Sequence, residues 1–145
     1  MITLTSIAIK TTTRAPMQEQ DSAEITIDKG ITGDFRGSAK DRQITILSES
    51  AWQKTCDSIG SDITWTTRRA NLLVNGIEFS VGDIGKTIRI GEVGLKIIQE
   101  TKPCSLMDQQ HQELTSALTP EWRGGVCCNV LTPGSIRVGD RIEIY

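Results

Sequence analysis

The sequence predicts a mainly β fold: one domain over residues 1–145, built as a closed or nearly closed β-barrel with two or three short helices. Three observations point there. Short runs of β-branched and aliphatic residues recur along the chain, 13 glycines punctuate them, and only two stretches have helical character. Many short strands separated by glycine turns, with little helix, are the pattern of a sheet closed on itself.

The elements follow in order. Ile2–Lys10 alternates as a first strand, and Thr11–Ser22 is a polar loop containing Pro16. Glu24–Asp28 is extended before a turn at Gly30–Gly33, and Arg42–Leu47 is a strand carrying Ile44 and Ile46. Ser48–Ser58 reads as a short helix, with Ser50 and Gln53 in capping-box register and Trp52 toward the core. Leu72–Val74 is extended. Thr87–Ile90 and Val93–Gln99 form a hairpin over Gly91-Glu92. A second helix is expected over Leu106–Leu118, then strands at Val126–Leu131, Ile136–Val138 and Arg141–Tyr145. No internal repeat, low-complexity tract or domain linker interrupts this order.

Composition narrows the class. Hydrophobic content of 37% and charged content of 23% are ordinary for a globular domain large enough to bury a core. Net charge is −2 with dispersed lysines and arginines, so no nucleic-acid partner is expected. No apolar run has membrane-spanning length, and the alternating start Met1-Ile2-Thr3-Leu4-Thr5-Ser6-Ile7 lacks the layout of a signal peptide. A cytoplasmic protein with no membrane association is the expectation. The cysteines at 56, 104, 127 and 128 form no CxxC pair, and His111 is the only histidine, so neither a zinc site nor a histidine metal centre is expected. Reduced thiols are expected in that compartment.

The most informative stretch is Lys102-Pro103-Cys104-Ser105-Leu106-Met107-Asp108. Pro103 ends the preceding strand, and Ser105 with Asp108 makes a capping-box-like start to the helix that follows. Cys104 therefore falls at a strand-to-helix junction, where unpaired N–H groups and the helix dipole favour an anion. A thiolate held there could carry sulfur, attack an electrophile or bind a soft metal. The alternative is a small buried hydrophobe.

Other clusters are candidates for a ligand. Arg68-Arg69-Ala70-Asn71 places two guanidiniums and a carboxamide before an apolar strand, suited to phosphate or a pterin-like heterocycle; alternatively one arginine is a surface charge and Asn71 closes a turn. Arg123-Gly124-Gly125 could bring backbone N–H groups close to an anion, or simply turn the chain into the Val126 strand. Parity in Val126–Leu131 puts Cys128 on the apolar face, and Cys127 with Asn129 on the other, where it could line a polar pocket. Cys56 is read as packing or surface, and His111 as solvated.

Taken in order and spacing, several of these segments resemble the MOSC family, the molybdenum-cofactor sulfurase C-terminal domain. The resemblance runs through Gly30-Ile31-Thr32-Gly33-Asp34, Asp41-Arg42-Gln43-Ile44-Thr45-Ile46-Leu47, Arg68-Arg69-Ala70-Asn71-Leu72 with Gly76, Gly85-Lys86, Ile90-Gly91, Pro103-Cys104, Arg123-Gly124-Gly125-Val126 and Gly134-Ser135-Ile136-Arg137-Val138-Gly139-Asp140. It implies a β-barrel that handles sulfur or the molybdenum cofactor (molybdopterin) through one characteristic cysteine, matched here by Cys104, which coordinates molybdenum in the amidoxime-reducing relatives. It further implies cofactor contacts from Arg69 and Asn71, which match the family's Arg-x-Asn, and from Arg42 and Gln43. Arg123, Gly124 and Gly125 join them as candidates.

Three functions follow from the resemblance and the residues together. The first is a binding or carrier module for molybdenum cofactor or sulfane sulfur, as persulfide, partnered by a pyridoxal-phosphate-dependent cysteine desulfurase or a molybdoenzyme. The second is a molybdenum-dependent reductase of N-hydroxylated compounds that needs a redox partner. The third is a metal-free thiol redox or detoxification protein. Oligomeric state is left open. Because Arg42, Arg69, Asn71, Cys104 and the Arg123–Gly125 turn all lie at ends of predicted strands, they are expected to surround one shallow, positively biased depression on a single rim.

Overall fold

A computed structural model describes residues 1–103, 105–109 and 111–145. Eleven strands run β1 (Ile2–Ile9), β2 (Gln18–Gln20), β3 (Ser22–Thr26), β4 (Gly30–Ile31), β5 (Ile44–Ser48), β6 (Leu72–Asn75), β7 (Thr87–Ile90), β8 (Val93–Glu100), β9 (Val126–Thr132), β10 (Gly134–Arg137) and β11 (Arg141–Ile144). Helices α1 (Glu49–Ile59) and α2 (Leu114–Leu118) are joined by four short 3-10 turns. Among the described residues no helix is long and apolar enough to cross a membrane.

The sheet closes. Its order β11-β7-β8-β9-β5-β6-β1, completed by pairing of β1 with β11 (Ile2 opposite Ile142), makes a seven-stranded barrel, with β2 hydrogen-bonded to the outside of β1. A separate three-stranded sheet, β10-β3-β4, lies beside it. All pairs in the barrel are antiparallel except β5 with β6, and their parallel connection carries α1.

Strand alternation builds two cores. Ile7 and Ile9 of β1, Ile44 and Ile46 of β5, Leu72 and Val74 of β6, and Val126 and Cys128 of β9 fill the barrel interior. The intervening residues Ala8, Leu47 and Leu73 face outward and form a second cluster with Trp52 and Cys56 of α1 and Leu114 and Leu118 of α2. Burying a leucine side chain of this kind contributes roughly 1.5–3 kcal/mol. The two helices therefore cover one side of the barrel and leave the neighbouring strand ends open.

The hairpin and the first helix lie where the sequence places them, but α1 is capped differently. Ser48, not Ser50, accepts from the Ala51 N–H, and Gly60 closes the helix in the left-handed region at φ 69°. The expected 106–118 helix divides into a 3-10 turn, Ser105–Gln109, and α2. Glu113 adopts φ 69° between them, and the polar run Gln109 to Gln112 offers no apolar stripe to bind a continuous helix to the barrel. The 11–22 loop is partly ordered as β2.

Candidate functional site

A cleft of about 430 Å³ opens on the outward face of the barrel, where the ends of β1, β5, β6 and β8 come together. Parity aims the nearby side chains at it. Ile9, Ile44 and Leu72 point inward, so Lys10, Thr45 and Asn71 point out. The site is thus on the barrel wall rather than in its mouth.

Six cations line this cleft, Lys10, Arg36, Arg42, Arg68, Arg69 and Lys102, against the one carboxylate of Asp34. Among the described residues Lys10, Arg36, Arg42, Arg69 and Lys102 form no salt bridge. The salt bridges Lys54–Glu78, Lys86–Asp83 and Arg123–Glu121 lie elsewhere. Asp34 accepts from the Lys10 backbone N–H at 3.0 Å, so its lone pairs serve the main chain rather than an ammonium. Burial pushes the Asp34 carboxyl up, opposed by hydrogen bonds from the backbone of Lys10 and Arg36 and from the Asn71 side chain.

Lys10 is the unusual member. It is 3% exposed, faces the cleft, and has no side-chain hydrogen bond or ion pair among the described residues. Burial lowers its pKa first, then the nearby charges of Arg69 and Arg36, with Asp34 pulling weakly the other way. Its ammonium lies 5.5 Å from the centre of the Phe35 ring, and the Arg36 guanidinium lies 5.1 Å from the same ring. The sequence reading missed Lys10 and Phe35. Its available signal was parity: a lysine continuing a strand at an outward position just after the inward-facing Ile9.

The expected binding residues separate into two groups. Arg42 and Arg69 are exposed and line the cleft with no side-chain hydrogen bond among the described residues. Arg69 is held at φ 66° at the end of the 3-10 turn Trp65–Arg68. Asn71 also lines the cleft, but its amide is committed: Oδ1 accepts from Thr45 N at 3.0 Å and Nδ2 donates to Ala8 O at 3.2 Å. Arg68 is buried and donates to Thr101 O at 2.8 Å and Gly124 O at 3.2 Å, joining the end of β8 to the turn before β9.

Four other candidates have structural partners instead. Gln43 donates to Ile27 O and Gly37 O and accepts from Val130 N, stapling three segments. Gly124 and Gly125 turn the chain against other backbone: a Cβ on Gly125 would lie 2.1 Å from Ile46 O, and one on Gly124 2.4 Å from Thr101 O. The Arg123 side chain turns away from the cleft to Ser58 Oγ, Ala117 O and Glu121. Of the five segments expected on one rim, the wall cleft gathers Arg42, Arg69 and Asn71, while Arg123 bonds among the helices.

Cys104 lies outside the described residues; Lys102 and Met107 on either side of it in sequence both line the cleft. A shallower depression of about 550 Å³ adjoins, sharing Arg42, Thr101 and Lys102 and adding Trp122, Ile84 and Cys127. Cys127 is buried there with its sulfur 3.2 Å from Thr101 Oγ1. Cys128 is in the barrel core, where burial pushes its thiol far up, and Cys56 packs beneath α1.

Comparison with known proteins agrees with this architecture. The YuaD protein from Bacillus subtilis superposes with a TM-score of 0.84 at 22% identity, covering 99% of this chain and 96% of that one. YiiM from Geobacillus stearothermophilus gives 0.80 at 16%, covering 100% and 75%. YiiM from Escherichia coli gives 0.74 at 15%, covering 99% and 69%. At these identities the likeness is one of fold. No curated protein matches in sequence. The MOSC domain model matches residues 32–143, most of the barrel and every cleft residue except Lys10 and Met17. The chain belongs to the MOSC family, a family associated with the molybdenum cofactor.

Proposed function

We propose that the outward cleft binds the molybdenum cofactor, or a similar phosphorylated heterocycle, and that Cys104 supplies the sulfur at its edge. The observation that carries this reading is the concentration of Lys10, Arg36, Arg42, Arg69 and Lys102 around one carboxylate, with none of the five in a salt bridge among the described residues. Unneutralised charges repel one another, and an anionic ligand relieves that repulsion. The cleft's volume of about 430 Å³ suits a ligand of cofactor size. Its donors suit the group: Lys10, Arg36, Arg42 and Arg69 for the anionic end, with the Thr45–Asn71 pair as a polar floor.

When bound, the cofactor supplies a metal centre able to exchange oxygen or sulfur and electron pairs. The chain's own part is narrower. Arg42 and Arg69 orient the ligand by charge-assisted hydrogen bonds, and Arg68 fastens the wall behind it; the cations of the cleft would favour a thiolate brought to it. In the carrier reading that thiolate holds sulfane sulfur received from a cysteine desulfurase and passed to a molybdoenzyme. A second reading, a molybdenum-dependent reductase of N-hydroxylated compounds, gains support from the adjoining depression, which offers a substrate a place beside the cofactor cleft.

The test compares wild type, Cys104→Ser and Cys56→Ser, each purified from a cofactor-competent host, for molybdenum content and persulfide. Loss confined to Cys104→Ser is expected. Persulfide without metal favours the carrier, and stoichiometric molybdenum favours the reductase. Equal retention in both variants removes Cys104 from the site.

A further inference from the structure

We propose that Phe35 is a positioning residue that holds Lys10 and Arg36 in the cleft without neutralising them, leaving both charges to a phosphoryl-type group. The proposal rests on the reading of the cleft as an anion site. Its basis is the local arrangement of these two cations around one ring. The turn after Gly33 is fastened to the end of β1 by two hydrogen bonds: Phe35 N–H donates to Lys10 O at 2.8 Å, and Lys10 N–H donates to the Asp34 side chain at Oδ1 at 3.0 Å. These contacts bring the half-buried ring against the Lys10 side chain. They also set Arg36, the next residue, over the same ring.

The two cations need such a support. Lys10 is 3% exposed, and its charge is opposed by burial and by the neighbouring Arg69 and Arg36. A carboxylate beside it would hold it equally well but would cancel the charge a ligand is meant to meet. An aromatic face attracts a cation through its quadrupole and carries no net charge, so the attraction survives while the positive potential remains. Asp34 acts on both cations only through space and as the smallest contribution to Lys10, with no salt bridge to either, because its hydrogen bonds go to main-chain N–H groups and Asn71. A leucine at position 35 would fill similar volume with no attraction for either cation.

The experiment uses inorganic pyrophosphate as probe, titrated calorimetrically at low salt and neutral pH into wild type, F35L and F35W. It is joined by nitrogen-15 titration of the Lys10 ammonium and by the Tm of each unliganded protein. F35L is expected to bind roughly ten-fold more weakly, with the Lys10 pKa displaced further downward and Tm nearly unchanged. F35W, which keeps an aromatic face, is expected to stay within about two-fold of wild type. If wild type binds and F35L binds equally well, the role of Phe35 is overturned while the anion site stands. If F35L and F35W lose affinity together with a lower Tm, the ring is packing only and the proposal fails. Absence of binding to wild type overturns the anion site and this proposal with it.

Discussion

Thr45 and Asn71 hold one another in both directions. Asn71 N–H donates to Thr45 O at 2.9 Å, and Thr45 N–H donates back to Asn71 Oδ1 at 3.0 Å. The Thr45 hydroxyl adds a third link to the same Oδ1 at 3.2 Å. This exchange locks the entrances of the pair β5 and β6, which is parallel where the other pairs of the barrel are antiparallel and so cannot be joined by a tight turn.

Asn71→Ala should accordingly act on the fold. It strands the Thr45 N–H and the Ala8 carbonyl, both hitherto bonded to the amide. A loss of about 2–3 kcal/mol is expected, seen as a lower midpoint in urea unfolding. An unchanged midpoint with weakened ligand binding would make Asn71 a ligand contact first.

Arg69→Gly should move stability and binding in opposite directions. The arginine is held at φ 66°, a region that costs a residue with a Cβ about 1 kcal/mol and glycine little. Unfolding should become slightly harder by that amount. Removing the guanidinium should meanwhile weaken pyrophosphate binding by about ten-fold, the loss of one charge-assisted hydrogen bond. Parallel losses in both measurements would place Arg69 in the structural network.

Lys10→Met should alter the alkaline limb of the stability profile. The folded-state pKa of Lys10 lies below its ordinary 10.5, so between those two values the unfolded chain binds more protons than the native one. Stability of the unliganded wild type should then rise with pH through that window, as the buried ammonium loses its charge. Below the window the native state bears the whole penalty, so the methionine variant should be the more stable at neutral pH and should lack this rise. Thermal unfolding of both proteins from pH 7 to 11 gives the comparison.

Gly125→Ala should be among the most damaging single changes. Its Cβ would lie 2.1 Å from Ile46 O, and φ there is 92°. Both neighbours are backbone and neither can swing aside. A loss of roughly 3 kcal/mol, or about 10 °C in Tm, is expected. A near-normal Tm would mean that the turn can shift, and would reopen Gly125 to a direct part in anion binding.

The barrel was legible because its signals are local. Val93, Leu95 and Ile97 alternate toward one interior, Gly91-Glu92 leaves only a hairpin between β7 and β8, and Cys128 falls on the apolar parity of β9. The site was legible only where a residue type announces itself, as with Arg42 and Arg69. Whether a polar side chain meets a ligand or a carbonyl depends on what closure of the sheet brings opposite. Gln43 meets Val130 across 87 residues, and Arg68 meets Gly124 across 56. No spacing rule at positions 43 or 68 encodes that. Lys10 was missed for the converse reason: read as a surface lysine it gives no signal, and the Asp34-Phe35 turn that packs against it is distant in sequence.

Pairing of Ile2 with Ile142 has a consequence for how the molecule is made. The seam that seals the barrel joins Ile2 to Ile142, so closing it demands a very long loop. Native topology of this kind is slow to reach. Until Arg141–Ile144 docks, β1 and β7 each present a bare row of main-chain donors and acceptors to any passing strand. The last strand is therefore the guard against aggregation, and damage to it should show first as poor recovery on refolding, before any change in what the finished protein binds.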